Sequence, residues 1–168
     1  MRILFTARDQ VGSKLIQWAT GGNVSHCAIG FYGAVYHSTE HGFLQQRADE
    51  FAYKYKIVRA LDFDIDDTMA VQIFTAAIKF DAGYDYSAFA FFAWCAFKNK
   101  FLGKPYPTRN SWNSNGYLCT EAVGYADQIM EAMTGESLLA PSVDLAITSP
   151  IDLYKLLEPK ASKVIKCY

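Results

Sequence analysis

Two runs rich in β-branched and aromatic residues, 25–31 and 34–39, are separated only by Tyr32-Gly33. Such a pair reads as a β-hairpin closed by a two-residue turn, and no other local pattern restricts the chain as tightly. In that register residue 31 faces 34 and residue 28 faces 37. His26 and His37 then become diagonal neighbours on one face, about 7–8 Å apart at Cα. Their imidazoles can hydrogen-bond, and one ring can orient the other. A three-residue loop would slide the pairing by one and set Glu40 opposite His26. The group that orients His26 is therefore His37 or Glu40.

The remaining pattern fills in around this hairpin. Residues 2–7, 56–61 and 163–167 read as strands. A helix over 11–19 places Val11, Leu15, Trp18 and Ala19 at helical spacing before Gly21-Gly22 stops it. Asp66-Asp67 supply capping oxygens for a helix over 68–80 with Ala70, Ile73, Phe74 and Ala77 on its apolar face. Ser87 is placed to cap a helix over 88–98, which is apolar all round and is expected to be buried; the aromatics from Phe89 to Trp94 are read as core. A polar, turn-rich stretch over 103–116 precedes a helix over 118–133, which Thr134-Gly135 ends. Ser149-Pro150-Ile151-Asp152 opens a short final helix. Helices segregate from strands, which predicts an α+β fold with an antiparallel sheet. The 168 residues lack repeats and linkers and are expected to form a single domain, 1–168.

With 16 basic and 17 acidic residues the net charge is −1, so a nucleic-acid partner is not expected. The longest apolar run, 88–97, is about half the ~20 residues of a spanning helix, and charges at Arg8 and Asp9 come too early for a signal-peptide core. A non-secreted, cytosol-like setting is the expectation, with reduced thiols at Cys27, Cys95, Cys119 and Cys167 because no CxxC or dense framework occurs.

Among these cysteines Cys119 falls at the first turn of a strong helix, where backbone N–H groups and the helix dipole favour a thiolate. That makes it the best-placed nucleophile, set against the ordinary tendency of a free cysteine to serve as a small buried hydrophobe. Its base must come from His26, His37 or His41. His37-Ser-Thr-Glu40-His41 also spells H-x-x-E-H, an inverted zinc-protease signature. That chemistry needs both histidines on one helical face, whereas strand character leads into it and Gly42 follows it, so no metal is expected. Gly21-Gly22 lacks a phosphate-loop frame. The acids at 62, 64, 66 and 67 lack the spacing of a calcium loop. No cofactor is expected.

Four segments, in order along the chain, resemble the circularly permuted papain-like hydrolases of the NlpC superfamily. These are Val24-Ser25-His26-Cys27-Ala28-Ile29-Gly30, Val35-Tyr36-His37-Ser38, Ala82-Gly83-Tyr84-Asp85-Tyr86-Ser87 and Leu118-Cys119-Thr120-Glu121-Ala122-Val123. Pro141 and Ser149-Pro150-Ile151-Asp152-Leu153 match late features, and the likeness spans roughly residues 1–158. It is strongest to the YiiX-like branch and more distant to the lecithin:retinol acyltransferase-like branch, although a histidine at position 37 is the latter's preference. The resemblance implies a permuted papain-like fold in which Cys119 is the nucleophile, His26 the general base and His37 the orienting group. It implies a hydrolase that forms a thioester, acting on a peptide-like amide such as a peptidoglycan peptide or isopeptide bond. A lipid ester or thioester is the alternative, with Phe92, Trp94, Trp112 and Tyr117 available to line an acyl pocket. A binding or virion-structural module that keeps the fold without activity is the non-enzymatic alternative. Tyr117, Asn115 and Gln10 stand equal as oxyanion side chains. The sequence sets no oligomeric state.

Overall fold

The computed structural model describes residues 1–39, 41–77, 85–105, 107 and 118–167. Glu40, Ala82-Gly83-Tyr84, Trp112, Asn115 and Tyr117, each singled out by the sequence, lie outside the described residues. The elements run β1 (Arg2–Ala7), α1 (Val11–Thr20), β2 (His26–Phe31), β3 (Ala34–Thr39), β4 (Gly42–Arg47), α2 (Ala48–Lys54) and β5 (Lys56–Asp62). They continue with α3 (Asp67–Ala77), α4 (Tyr86–Leu102), α5 (Cys119–Thr134), α6 (Pro150–Leu157) and β6 (Lys163–Lys166). The strands form one sheet in the order β4-β3-β2-β1-β5-β6, antiparallel at every pairing. The fold is thus α+β, as the segregation of helices from strands predicts. Among the described residues no helix is long and apolar enough to cross a membrane.

The expected hairpin forms with Phe31 opposite Ala34 and Ile29 opposite Tyr36. Tyr32 and Gly33 both take positive φ, 49° and 69°, as a tight turn matched to strand twist requires. The alternation of β1 and β2 divides the core between the two sides of the sheet. Ile3, Phe5, Cys27 and Ile29 meet Ile73, Val123, Ala126, Met130, Leu153 and Leu157 from α3, α5 and α6. On the opposite side Leu4, Ala28, Val35 and Ala60 pack beneath Phe51 of α2 and Tyr55 just after it. Full burial of Phe51 stabilises by roughly 1.5–3 kcal/mol.

Several expectations need correction. Residues 42–54 have no element in the sequence reading, yet they hold β4 and α2. β4 has only two large apolar residues and α2 is barely two turns long, so both depend on β3 and the sheet rather than on their own periodicity. The fourth helix starts at Tyr86, with Asp85 before it accepting from the Ser87 hydroxyl at 2.8 Å, so Ser87 is not its cap. Nor is that helix buried all round. Phe91, Phe92, Cys95 and Ala96 are covered, whereas Trp94, Phe97, Phe101 and Leu102 are exposed, because only one side of α4 packs inward.

Two tethers place α5. Gly124 lets the later loop close on the helix, since a Cβ there would stand 1.7 Å from Leu145 Cδ1, and the Thr120 hydroxyl donates to the Leu145 carbonyl at 2.9 Å. Farther along, the buried Asp127 carboxylate accepts from the N–H groups of Leu138 at 2.6 Å and Leu139 at 2.9 Å and from the Ser137 hydroxyl at 2.8 Å. Asp127→Ala strands the Leu138 N–H at about 1–3 kcal/mol, leaves the Leu139 N–H only the Ser137 hydroxyl at 3.2 Å and removes the acceptor of that hydroxyl. It is expected to lower stability by about 2–4 kcal/mol in urea unfolding, and an unchanged midpoint would show that this loop contributes nothing to the hold on α5.

Candidate active site

Cys119 is the first residue of α5, preceded by Leu118 in extended conformation (φ −74°, ψ 161°). The Glu121 carboxylate reaches back to accept the Leu118 N–H at 2.8 Å, which is one half of a capping box. Leucine has no oxygen with which to complete the other half. The first-turn N–H groups therefore keep their pull on an anion at this helix end.

His26 opens β2 opposite Thr6. The approach to it is pinned by the Ser25 N–H on the Thr6 carbonyl, 2.9 Å, and by the Ser25 hydroxyl against that of Ser13 in α1. His26 Nε2 lies 2.9 Å from His37 Nδ1, and His37 Nε2 lies 3.3 Å from Gln46 Oε1 on β4. The rings of His26 and His37 meet edge to face, with centroids 5.1 Å apart. Tyr55 stacks on His26 at 5.4 Å, and Phe51 and Tyr55 wall His37.

Cys27 and His26 are the neighbours that act most directly on the Cys119 thiol. Adjacent residues of a strand point to opposite faces, but at the strand's first residue both remain within reach of the helix end. The chain therefore brings Cys119, His26 and His37 together. Gln46 and Cys27 join them, although the sequence reading gave neither a role. The signal for Gln46 is its diagonal relation to His37 once β3 and β4 pair as His37↔Leu44 and Val35↔Gln46.

The electrostatics are ordered along this line. Hydrogen bonding by the Cys27 thiol, with the charge and hydrogen bond of His26 and the Cys27 N–H, holds the Cys119 thiol well below its usual range in spite of burial. Cys27 shifts the other way, chiefly through burial and then through donating to Cys119. Burial and the neighbouring charge of His26 push His37 down to about 3, so it stays neutral. Neutral His37 donates from Nε2 to the Gln46 carbonyl oxygen, which leaves Nδ1 to accept from His26 Nε2–H. In the neutral form of His26 that tautomer leaves Nδ1 with its lone pair. Burial first, and then the charges of Asp85, Asp144 and Cys119, raise Glu121 to about 7.

The other candidates stand apart from this line. His37 is on a strand and His41 on the exposed turn beyond it, so the helical face required of a zinc protease is not formed. Among the described residues no group of three or more His, Cys, Asp or Glu converges as a metal site. Gln10 is exposed at the start of α1, where its carbonyl accepts the Lys14 N–H at 3.0 Å. An open groove of about 350 Å³ runs along α5 from Glu121 past Tyr125 and Gln128 to Ser142 and Asp144.

Three substitutions test the electrostatics. Iodoacetamide alkylation of Cys119 across pH is expected to titrate well below the ~8.5 of a free thiol. Cys27→Val removes the donor and is expected to raise that midpoint, whereas Glu121→Gln removes a carboxylate charge, keeps an acceptor for Leu118 and is expected to lower it. Midpoints unmoved in both variants would refute the assigned causes. His37 acts on stability in the opposite pH direction from a salt-bridged base. Its folded pKa lies below the ~6.5 of an unfolded imidazole, so its contribution is complete above that pH and is lost as pH falls toward 3. His37→Gln is expected to flatten the acid side of the stability curve in urea titrations at pH 7, 5 and 4.

Neither a scan against protein-family models nor a search of curated protein sequences finds a match for the chain.

Proposed function

We propose that this chain is a cysteine-dependent hydrolase of the permuted papain-like, NlpC-type class that cleaves an amide bond through a thioester. The observation that carries the reading is one line of neighbouring groups: His26 acts on the Cys119 thiol, and hydrogen bonds run from His26 to His37 and on to Gln46. It has the composition of a nucleophile, a base and an orienter, with a further group that fixes the orienter's tautomer.

In this mechanism His26 Nδ1 takes the Cys119 proton and the sulfur attacks the substrate carbonyl carbon. The oxyanion forms at the start of α5, where the Cys119 N–H and the helix dipole stabilise it. The His26 imidazolium gives its proton to the departing nitrogen as the C–N bond breaks, leaving an acyl thioester and a free amine. A water, deprotonated by His26, then attacks the thioester carbonyl. The carboxylic acid leaves and the thiolate–imidazolium pair is restored. Neutral His37 positions His26 throughout and carries no charge of its own.

The groove beside Glu121 favours a peptide-like substrate such as a peptidoglycan peptide or an isopeptide. Its polar lining of Gln128, Ser142 and Asp144 suits amide groups better than an acyl chain. A lipid ester or thioester is the second reading, favoured by the exposed aromatic residues of α1 and α4.

The deciding experiment offers muropeptides, isopeptide-linked peptides and acyl esters in parallel and traps the acyl-enzyme by mass spectrometry. Cys119→Ala is expected to abolish turnover and adduct formation, and His26→Ala to slow turnover by about 10²–10⁴-fold. Turnover that persists in Cys119→Ala would end the proposal. So would the absence of any adduct across the panel while Cys119 still alkylates at a free-thiol midpoint.

A further inference from the structure

The two helices that leave large apolar side chains uncovered do so together. On α1, Val11, Leu15 and Trp18 are 85%, 44% and 45% exposed; on α4, Trp94, Phe97, Phe101 and Leu102 are 45%, 44%, 60% and 57% exposed. Their spacing, 11-15-18 and 94-97-101, makes one stripe on each helix. Ring contacts join the stripes into a single surface: Trp94 stacks with Phe97 at 5.9 Å, Phe97 meets Phe101 at 4.8 Å, and Phe101 crosses to Trp18 at 6.0 Å. Single exposed hydrophobes are ordinary on proteins, but a contiguous aromatic surface marks an interaction site.

The charge carried by the two helices themselves is of one sign. Neither α1 nor α4 contains an acidic residue, while Lys14 lies on the first and Lys98 and Lys100 on the second, with Lys104 just after it. Lys98 Nζ lies 5.0 Å over the Trp94 ring and Lys100 Nζ 3.9 Å over the Trp18 ring. Both ammonium groups thus sit over aromatic faces as cation–π partners, and Lys100 Nζ also donates to the Trp18 carbonyl at 3.1 Å. Lys14 is ion-paired with Asp9 at 2.6 Å; no ion pair engages Lys98, Lys100 or Lys104 among the described contacts. Lys14 also lines a groove with Arg8, Lys54 and Lys56, where Asp9 is the acidic residue. Trp and Phe inside a ring of lysines is the pattern of a helix face that lies in the plane of an anionic bilayer.

We propose that the α1–α4 face docks on an anionic lipid surface, with the aromatic stripe entering the headgroup boundary and Lys98, Lys100 and Lys104 meeting lipid phosphate and carboxylate groups. This docking goes beyond the Cys119 chemistry and does not depend on it, because it is read without turnover. The test is flotation of the chain with phosphatidylcholine vesicles, with and without about one third phosphatidylserine, at low and high salt. Binding is expected to the serine-containing vesicles, to weaken with salt and to bring a blue shift in tryptophan emission. Lys98→Glu with Lys100→Glu is expected to reduce the bound fraction roughly tenfold or more. Phe97→Ser with Phe101→Ser is expected to remove the blue shift while Cys119 still alkylates as in the parent, which certifies the fold. No binding to either vesicle, or equal binding to both, would overturn the proposal. A concentration-dependent dimer that the Phe97→Ser, Phe101→Ser pair dissolves, without vesicle binding, would overturn it in favour of a second copy of the chain.

Discussion

The hydrogen bond between His26 and His37 depends on a turn of two residues. With Phe31 opposite Ala34, the two imidazoles fall on the same side of the sheet, and Nε2 of one reaches Nδ1 of the other at 2.9 Å. One residue more in the loop would send every side chain of β3 to the other face. His37 would then enter the space where α5 packs, and Tyr36 would sit under Phe51. The aromatic wall of Phe51 and Tyr55 makes this register costly to leave, because it fills the side on which His37 is buried. The same packing that stabilises the small α2 layer thus fixes the direction of the His26 ring.

That wall also determines what kind of neighbour His37 can be to His26. A carboxylate in its place would favour a charged imidazolium on His26 by direct attraction. A histidine held neutral by burial acts through geometry and tautomer alone. Gln46 belongs to the same logic, since its carbonyl oxygen decides which nitrogen of His37 bears the proton. The sulfur is stabilised first by the Cys27 donor and then by the charge of His26, at an open helix end. The site therefore divides its work between a neutral relay on the α2 side of the sheet and a polar cradle on the α5 side.

The parts of this arrangement that rest on local chemistry were legible in the sequence. Tyr32-Gly33 between two β-rich runs predicts the hairpin, and a cysteine before a strongly periodic segment closed by Gly135 predicts a thiol at a helix start. Parts that rest on tertiary pairing were not. Gln46 is an ordinary polar residue until β4 docks on β3, and 42–54 carries too weak a pattern to announce either β4 or α2. Cys27 looks like a core residue, and it is one; its second task appears only once α5 is laid across β2. The fourth helix misleads in the opposite sense. Its uniform apolarity suggests a buried rod, whereas just one flank is covered, and composition alone cannot distinguish a helix surrounded by protein from one that faces another apolar medium.

Leu118 illustrates a conflict between durability and reactivity. A serine or aspartate in that position would satisfy an N–H of the first turn and stabilise the helix by about 1 kcal/mol. It would also occupy the donors that make the end of α5 attractive to a negative sulfur. The chain forgoes an easily gained increment of stability at the helix start that carries Cys119. A thermostabilised version designed by optimising every helix start would, at this residue, yield a sturdier and chemically quieter protein.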